Sequence, residues 1–200
     1  NDDVFIDANS FLSTNDTLTM DTTILHCRNM DWTGVVNKPH LKLVNNIFSV
    51  FGSLVLADSM TLHIDSAAIV FKSSNIGNVI HTAGHEITKC SFQFDGTGAW
   101  SFISDFTGDG IFYNKGNLSI NAKTVRVNYF SANIASVGSS LDISGSTIYA
   151  GRWQLYASLS NQFFTGGSTI HFTQEFYGGK KLNYNTVVVD SLFALQGTVY

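Results

Sequence analysis

The chain has 200 residues and a mass of 21.9 kDa, which is enough for one sizeable domain over residues 1–200. Charged residues make up only 13%, and the net charge of −4 provides no basic surface for nucleic acid. No apolar run approaches the ~18 residues of a membrane span, and 74 residues are Asn, Gly, Ser or Thr, which disfavour helix interiors. We therefore expect no nucleic-acid partner, no membrane insertion and no mostly helical fold.

Short runs in which apolar residues alternate with other residues predict strands with one buried face. Eight such runs recur from Leu18 to Val187 at a mean spacing of about 24 residues. In chain order they are Leu18/Met20, Leu41/Leu43, Met60/Leu62/Ile64, Phe92/Phe94, Leu118/Ile120, Leu141/Ile143, Ile170/Phe172 and Val187/Val189. Further strands are predicted at Leu54/Leu56, Ile69/Phe71, Val125/Val127, Ile148 and Trp153/Leu155. Two or three short strands per repeat are typical of a parallel β-helix.

The pattern predicts an all-β fold, a right-handed parallel β-helix (β-solenoid) of about eight irregular coils. Stacking of the coils buries the apolar face of each one against the next. A β-sandwich is the main alternative, but sandwiches use hairpin turns every ~8–12 residues. Asp-Gly pairs occur only at 95–96 and 109–110, without a regular hairpin ladder. Residues Ser73–Gly84 are predicted as a loop or a transition between coils.

The two ends of the sequence and its two cysteines bear on whether the chain is a fragment and whether it contains a disulfide. The sequence opens NDDVFIDANS and closes within a strand pattern, so we expect either a segment of a longer protein or a chain trimmed for expression. Cys27 and Cys90 are separated by about three coils at ~4.8 Å each, well beyond disulfide distance. We expect two free, mostly buried thiols rather than a disulfide.

Several segments follow one another in a distinctive order: NDDVFIDANSF…TLTMD, MDWTGV, GSLVLADSMT, FDGTGAWSFISDF, GNLSINAKTV and FYGGKKLNYNTVVV. This order resembles the degenerate β-strand repeats of very large secreted surface proteins of Bacteroidota that are exported by type IX secretion. The resemblance implies a secreted or cell-surface location and an adhesin-like role. It also implies partners among other coils or domains of the same chain, surface glycans and secretion-machinery components. We find no C-terminal sorting domain of such proteins within these 200 residues, so export by that route is an expectation from the resemblance alone, and the family offers no catalytic residues to transfer.

Histidines in the segment HTAGHE form the most metal-like cluster. His81 and His85 have the i, i+4 spacing that places two zinc ligands on one face of a helix, with Glu86 beside them. In an extended segment the two rings need not converge, and a third ligand such as His63 must come from a neighbouring coil. Surface or loop histidines are the favoured interpretation.

Two groups of aspartates are candidates for calcium, because hard cations prefer carboxylate and carbonyl oxygens. One is Asp2, Asp3 and Asp7 at the start of the chain, and the other is the pair Asp105 and Asp109. Neither has the spacing of a calcium loop, so turn and cap chemistry is favoured. We expect no cofactor, with calcium as the alternative.

An enzyme on the same scaffold is the alternative to a structural role, because polysaccharide hydrolysis requires paired carboxylates and lyases require a base with a basic group. Arg126, Arg152, Asp142 and Asp190 alternate with apolar neighbours and are predicted to face outward. We interpret them as a solvated face rather than a catalytic one.

Aromatic residues supply the predicted binding surface. Tyr113, Tyr149, Tyr156 and Tyr177 are expected to face outward, where aromatic rings stack on sugars or anchor protein partners. Trp32, Trp100 and Trp153 are interpreted mainly as core. The sequence thus predicts a non-catalytic structural or adhesive solenoid that supports or displays a binding surface. The alternative is a carbohydrate-binding or polysaccharide-degrading β-helix module.

Overall fold

A computed structural model describes residues 2–133, 138–156, 162–179 and 182–191. It contains twenty short β-strands, numbered in chain order, and every strand pairing between them is parallel. The strands form three sheets that run along the axis of the molecule. Among the described residues no helix is long and apolar enough to cross a membrane.

Sheet I contains eight strands, which are β1 (Val4–Phe5), β4 (Met30–Asp31), β7 (Leu54–Val55), β10 (Asn78–His81), β12 (Ala99–Phe102), β14 (Asn117–Ser119), β16 (Ser140–Asp142) and β18 (Phe163–Phe164). Sheet II contains nine strands, which are β3 (Ile24–Cys27), β6 (Ile47–Val50), β9 (Ala67–Phe71), β11 (Glu86–Phe94), β13 (Phe106–Tyr113), β15 (Thr124–Ala132), β17 (Thr147–Leu155), β19 (Thr169–Tyr177) and β20 (Thr186–Val189). Sheet III contains only β2 (Thr17–Met20), β5 (His40–Val44) and β8 (Thr61–Asp65).

Successive strands of each sheet come from successive coils, which confirms the predicted parallel β-solenoid and rules out the sandwich. Each of the eight strands of sheet I begins one coil, so the predicted number of about eight coils is also confirmed. The right-handed sense of the coil stays a prediction. The segment Ser73–Gly84, predicted as a loop or a transition between coils, contains the transition from β9 of the third coil to β10 of the fourth, which pairs with β7 and β12.

The core consists of columns of apolar side chains that stack from coil to coil. One column on the inner face of sheet II contains, in register, Phe48, Ile69, Phe92, Ile111, Phe130, Trp153 and Phe176. All seven side chains are buried, and the rings of Phe130 and Trp153 stack at 4.5 Å between centroids. The tryptophans Trp32 and Trp100 are buried as well, as the sequence predicts. The buried side chains form one continuous cluster along the described coils.

The corner between sheets III and II changes its form along the axis. In the second and third coils it is a tight turn, at Asn45 (φ 53°) between β5 and β6 and at Ser66 (φ 52°) between β8 and β9. From the fourth coil onward the two strands merge into one long, bent strand, and Lys89 within β11 still has a positive φ of 58°. In the following coils, Asp109 and Asn128 occupy the bend without a positive φ. We call these corner positions the bend column.

The two cysteines lie inside the solenoid as free thiols, as predicted. Cys27 is in β3 and Cys90 is in β11, and the strands of two further coils separate them. Burial raises the pKa of each thiol to about 12, so both are protonated at physiological pH. Neither is therefore suited to nucleophilic chemistry.

Candidate binding surface

The outer face of sheet II carries a groove that follows the bend column from β11 to β19 and ends at Asp190, just after β20. We call it the sheet II groove; its volume is about 390 Å³. Its polar lining consists of the side chains of Thr88, Thr107, Asp109, Arg126, Asn128, Tyr149, His171, Thr173, Gln174 and Asp190. The strand register shifts at this column in β11 and between β17 and β19, and Gly151 contributes no side chain to the groove there. A Cβ atom at Gly151 would lie 2.7 Å from the carbonyl oxygen of Asn128.

One wall of the groove is a ladder of four side chains: Arg126, Tyr149 and His171 from the successive strands β15, β17 and β19, and Asp190, which directly follows β20. The guanidinium carbon of Arg126 lies 4.0 Å from the centroid of the Tyr149 ring. The Tyr149 ring stacks on the imidazole of His171 at 4.5 Å and 19°. The imidazole Nδ1 in turn lies 3.0 Å from Oδ1 of Asp190. The ladder arises because Arg126, Tyr149 and His171 are in register across β15, β17 and β19.

The floor of the groove is polar and hydrogen-bonded. The Asn128 side-chain amide donates to Oδ1 of Asp109 over 2.8 Å, which links two coils at the bend. The amide oxygen of Gln174, at the far end, accepts a hydrogen bond from Nε of Arg152 over 3.1 Å. Thr88 and Thr173 are exposed, and Thr107 is half-buried. The floor therefore offers both donors and acceptors to a hydroxylated ligand.

A second aromatic row runs beside the groove. Phe112 and Tyr129 stack with centroids 6.4 Å apart, and the guanidinium of Arg152 lies 4.9 Å from the Tyr129 ring centroid. Arg152 also donates to the hydroxyl of Tyr129. Unlike Arg126, Arg152 is thus occupied by protein partners on both sides.

The structure places the four predicted binding tyrosines in three different settings. Tyr156 and Tyr177 lie at the surface, 50% and 39% exposed, with ring centroids 5.2 Å apart. Tyr149 lines the groove, but Arg126 covers one face of its ring and His171 covers the other, so only its edge and hydroxyl are open to a ligand.

The expectation that Tyr113 faces outward is wrong. Its side chain is fully buried, and its hydroxyl donates to the carbonyl oxygens of Gly116 and Ser140 inside the solenoid. Burial raises its pKa to about 12. Tyr113 therefore belongs to the core and presents no surface to a ligand.

The predicted histidine pair does not lie on a helix. His81 ends β10, His85 follows in a turn at 82–85, and Glu86 begins β11. The Nε2 atom of His85 lies 2.7 Å from the carbonyl oxygen of Ala57, whereas His81 lines a separate hollow of about 470 Å³ near Asp58. Across the described ranges, no group of three or more His, Cys, Asp or Glu residues is arranged to hold a metal ion.

The predicted calcium ligands are held by separate partners. Asp3 accepts two hydrogen bonds from the guanidinium of Arg28, and this interaction lowers the Asp3 pKa to about 2. Asp7 accepts from the backbone amide of Asn9 and the hydroxyl of Ser10, which also lowers its pKa.

The second calcium pair makes contacts between coils. Asp105 accepts from the backbone amide of Thr124 over 2.9 Å, and Asp109 accepts from the side-chain amide of Asn128 in the groove. Each contact joins residues 19 positions apart, so it links neighbouring coils and is not the local turn or cap contact that the sequence favours for Asp.

The four charged residues considered for catalysis divide between two sheets. Arg126, Arg152 and Asp190 lie on the outer side of sheet II. Asp142 lies in β16 on sheet I, where its carboxylate accepts from the backbone amide of Ser144 over 2.9 Å. The sequence interpretation did not include His171, although it follows Tyr149 by 22 residues, close to the spacing of the apolar repeat.

The fold defines a parallel β-solenoid, and the sheet II groove runs along one of its faces. In comparisons with known proteins, no protein-family model matches the chain, and neither a curated protein nor a solved structure matches it.

Proposed function

We propose that the chain is a non-catalytic, adhesive segment of a secreted cell-surface protein, and that its solenoid displays the outer face of sheet II to a ligand. The observation that carries the proposal is the juxtaposition of an uninterrupted apolar core with one polar, aromatic-walled groove on the outside. A packed core of this kind keeps the coils in fixed register. A ligand that lies along the groove thus contacts groups whose spacing is set by the fold.

The surface of sheet II supports a binding role because its aromatic and charged groups are already ordered. Tyr149 is fixed between Arg126 and His171, and Tyr129 is fixed between Phe112 and Arg152. Side chains that are held in place before binding lose little conformational entropy when a ligand arrives.

The exposed pair Tyr156 and Tyr177 extends this surface beyond the groove. Amphipathic aromatic residues of this kind supply large contact areas in adhesive interfaces.

A polysaccharide-degrading enzyme is the second candidate, favoured by one observation. The groove contains two carboxylates, Asp109 and Asp190, together with the guanidinium of Arg126. Both carboxylates are already engaged, Asp109 by the Asn128 amide and Asp190 by the His171 imidazole. This engagement is our reason for ranking binding above turnover.

The test uses the purified chain attached to beads and a panel of polysaccharides and extracellular-matrix proteins. Thr173→Glu places a bulky charge in the groove, and Ser119→Glu places the same charge on the outer side of sheet I as a matched control. We expect retention of at least one panel member by the native chain and by Ser119→Glu, and loss of retention with Thr173→Glu. Release of reducing or unsaturated sugar ends contradicts the non-catalytic role. Equal retention by both variants contradicts the assignment to sheet II.

A further inference from the structure

Arg126 is the one cation of the sheet II groove whose hydrogen-bond donors are unused within the described part of the chain. His171, the other basic residue of the groove, faces Asp190. Arg126 is exposed and makes only the stacking contact with Tyr149 at 4.0 Å. A guanidinium carries five N–H donors in a rigid plane, and stacking on an aromatic face leaves its edge free. Such an edge matches the two oxygens of a carboxylate.

The surroundings of Arg126 fit a sugar polymer. Thr107 is its register partner on one side, and Asn128 and Thr173 lie further along the same groove. These groups offer hydroxyls and amides, which suit a ligand rich in hydroxyl groups. Successive coils are ~4.8 Å apart, close to the length of one sugar ring in an extended chain. A glycan that lies along the axis can therefore place one ring on each coil.

The carboxylates of the groove restrict the charge of that glycan. Asp109 lies one coil before Arg126, and Asp190 lies at the far end of the groove. A polymer with an acidic group on every sugar would place carboxylates beside these two residues, where like charges repel. A polymer that alternates acidic and neutral sugars places one carboxylate on Arg126 and offers hydroxyl donors to Asp109.

We infer that the sheet II groove binds an extended glycan of alternating acidic and neutral sugars along the solenoid axis, with Arg126 holding a sugar carboxylate through both of its oxygens. This inference rests on the proposed binding function and specifies the ligand of the same surface.

The test is isothermal titration of the whole chain with three oligosaccharides of equal length. They are a hyaluronan oligosaccharide, which alternates uronate and N-acetylhexosamine, its carboxyl-reduced form, and an oligogalacturonate, in which every sugar is acidic. We expect the native chain to bind the hyaluronan oligosaccharide at least tenfold more tightly than either of the others. A hydrogen bond to a charged group contributes enough free energy to account for a tenfold difference in affinity.

Arg126→Gln is expected to remove the preference for the carboxylated form while binding of the carboxyl-reduced form stays unchanged. Lys115→Gln is the matched control, because it removes an exposed positive charge outside the groove. We expect it to keep the native preference. Tyr149→Leu keeps the charge of Arg126 but removes the ring on which its guanidinium stacks. We expect this variant to lose part of the preference for the carboxylated form. Circular dichroism of each variant establishes that the solenoid is intact.

Four results overturn the inference. They are equal binding of the carboxylated and reduced forms, an unchanged preference in Arg126→Gln, tighter binding of the oligogalacturonate, and failure to bind any of the three oligosaccharides. In every one of these cases, retention of another panel member on beads still supports the proposed adhesive role, so the two failures are distinguishable.

Discussion

Phe130 and Trp153 stack their rings in adjacent coils, with centroids 4.5 Å apart and planes inclined by 22°. Both are fully buried, and each belongs to the continuous column on the inner face of sheet II. Stacked rings in register show how neighbouring coils are held together. Each ring fills space that would otherwise be open between two turns of the chain.

Trp153→Ala is expected to destabilise the protein by about 3 to 5 kcal/mol, because it leaves a cavity and removes the stacking contact. Phe112→Ala, which removes an aromatic residue from the outer face of the same sheet, is the control and is expected to cost about 1 kcal/mol or less. Urea unfolding followed by circular dichroism measures both variants. Equal losses in the two variants would contradict the assignment of inner and outer faces.

Gly116→Ala is expected to be more destabilising than Gly77→Ala. Both glycines have a positive φ, 89° and 81° respectively, so both substitutions carry the left-handed penalty of about 1 to 2 kcal/mol. At Gly116 a Cβ atom would also lie 2.6 Å from the carbonyl oxygen of Gly96, whereas at Gly77 it meets no atom within 4 Å. Thermal unfolding of the two variants compares the costs directly. A smaller loss for Gly116→Ala would show that the coil spacing at Gly96 can relax.

The buried thiols of Cys27 and Cys90 are expected to resist alkylation in the folded protein at mildly alkaline pH, because burial raises both pKa values to about 12. The neutral thiol is favoured by folding, so its contribution to stability is complete below the ordinary pKa of 9.0 and is lost as the pH rises toward 12. Mass spectrometry after treatment with iodoacetamide counts the modified thiols, with the guanidinium-unfolded chain as the positive control. Rapid modification of either cysteine under native conditions would contradict its burial.

Asp3→Asn is expected to reduce the loss of stability in acid. Hydrogen bonding to Arg28 depresses the folded-state pKa of Asp3 to about 2, below its ordinary value of 3.8. The contribution is therefore present above pH 3.8 and is lost as the pH falls toward 2, where the carboxylate is protonated. Urea unfolding at a series of acidic pH values gives the slope of the free energy of unfolding against pH. Asp2→Asn, the same change one residue away, is the control and is expected to keep the native slope.

The sequence predicts the repeat well because alternation and turn chemistry are local properties, but it does not assign each run to a sheet. Leu118 and Leu141 lie on sheet I, whereas Ile170 and Phe172, in an equivalent run of the repeat, lie on sheet II. An apolar pair marks a strand with one buried face, and the order of the strands within a coil decides which face of the solenoid that strand forms.

The candidate site is only partly predictable, because the sequence pattern does not show which side chains the packing of the coils brings together. Tyr113 is buried because it shares the inward phase of Ile111 in β13, and the neighbouring Phe112 is the residue that faces outward. His171 could have been found from its spacing to Tyr149. The groove itself depends on the strand bends at Asp109 and Asn128, which follow from packing between coils and leave no local signal in the sequence.

The two forms of the bend column imply different freedom for sequence change during evolution. Asn45 and Ser66 must accept a left-handed backbone, so few residue types are tolerated at these positions. Asp109 and Asn128 lie in bent strand with ordinary backbone angles and direct their side chains into the groove. The lining of the groove can thus vary at positions 109 and 128 without a change in the backbone conformation of the scaffold.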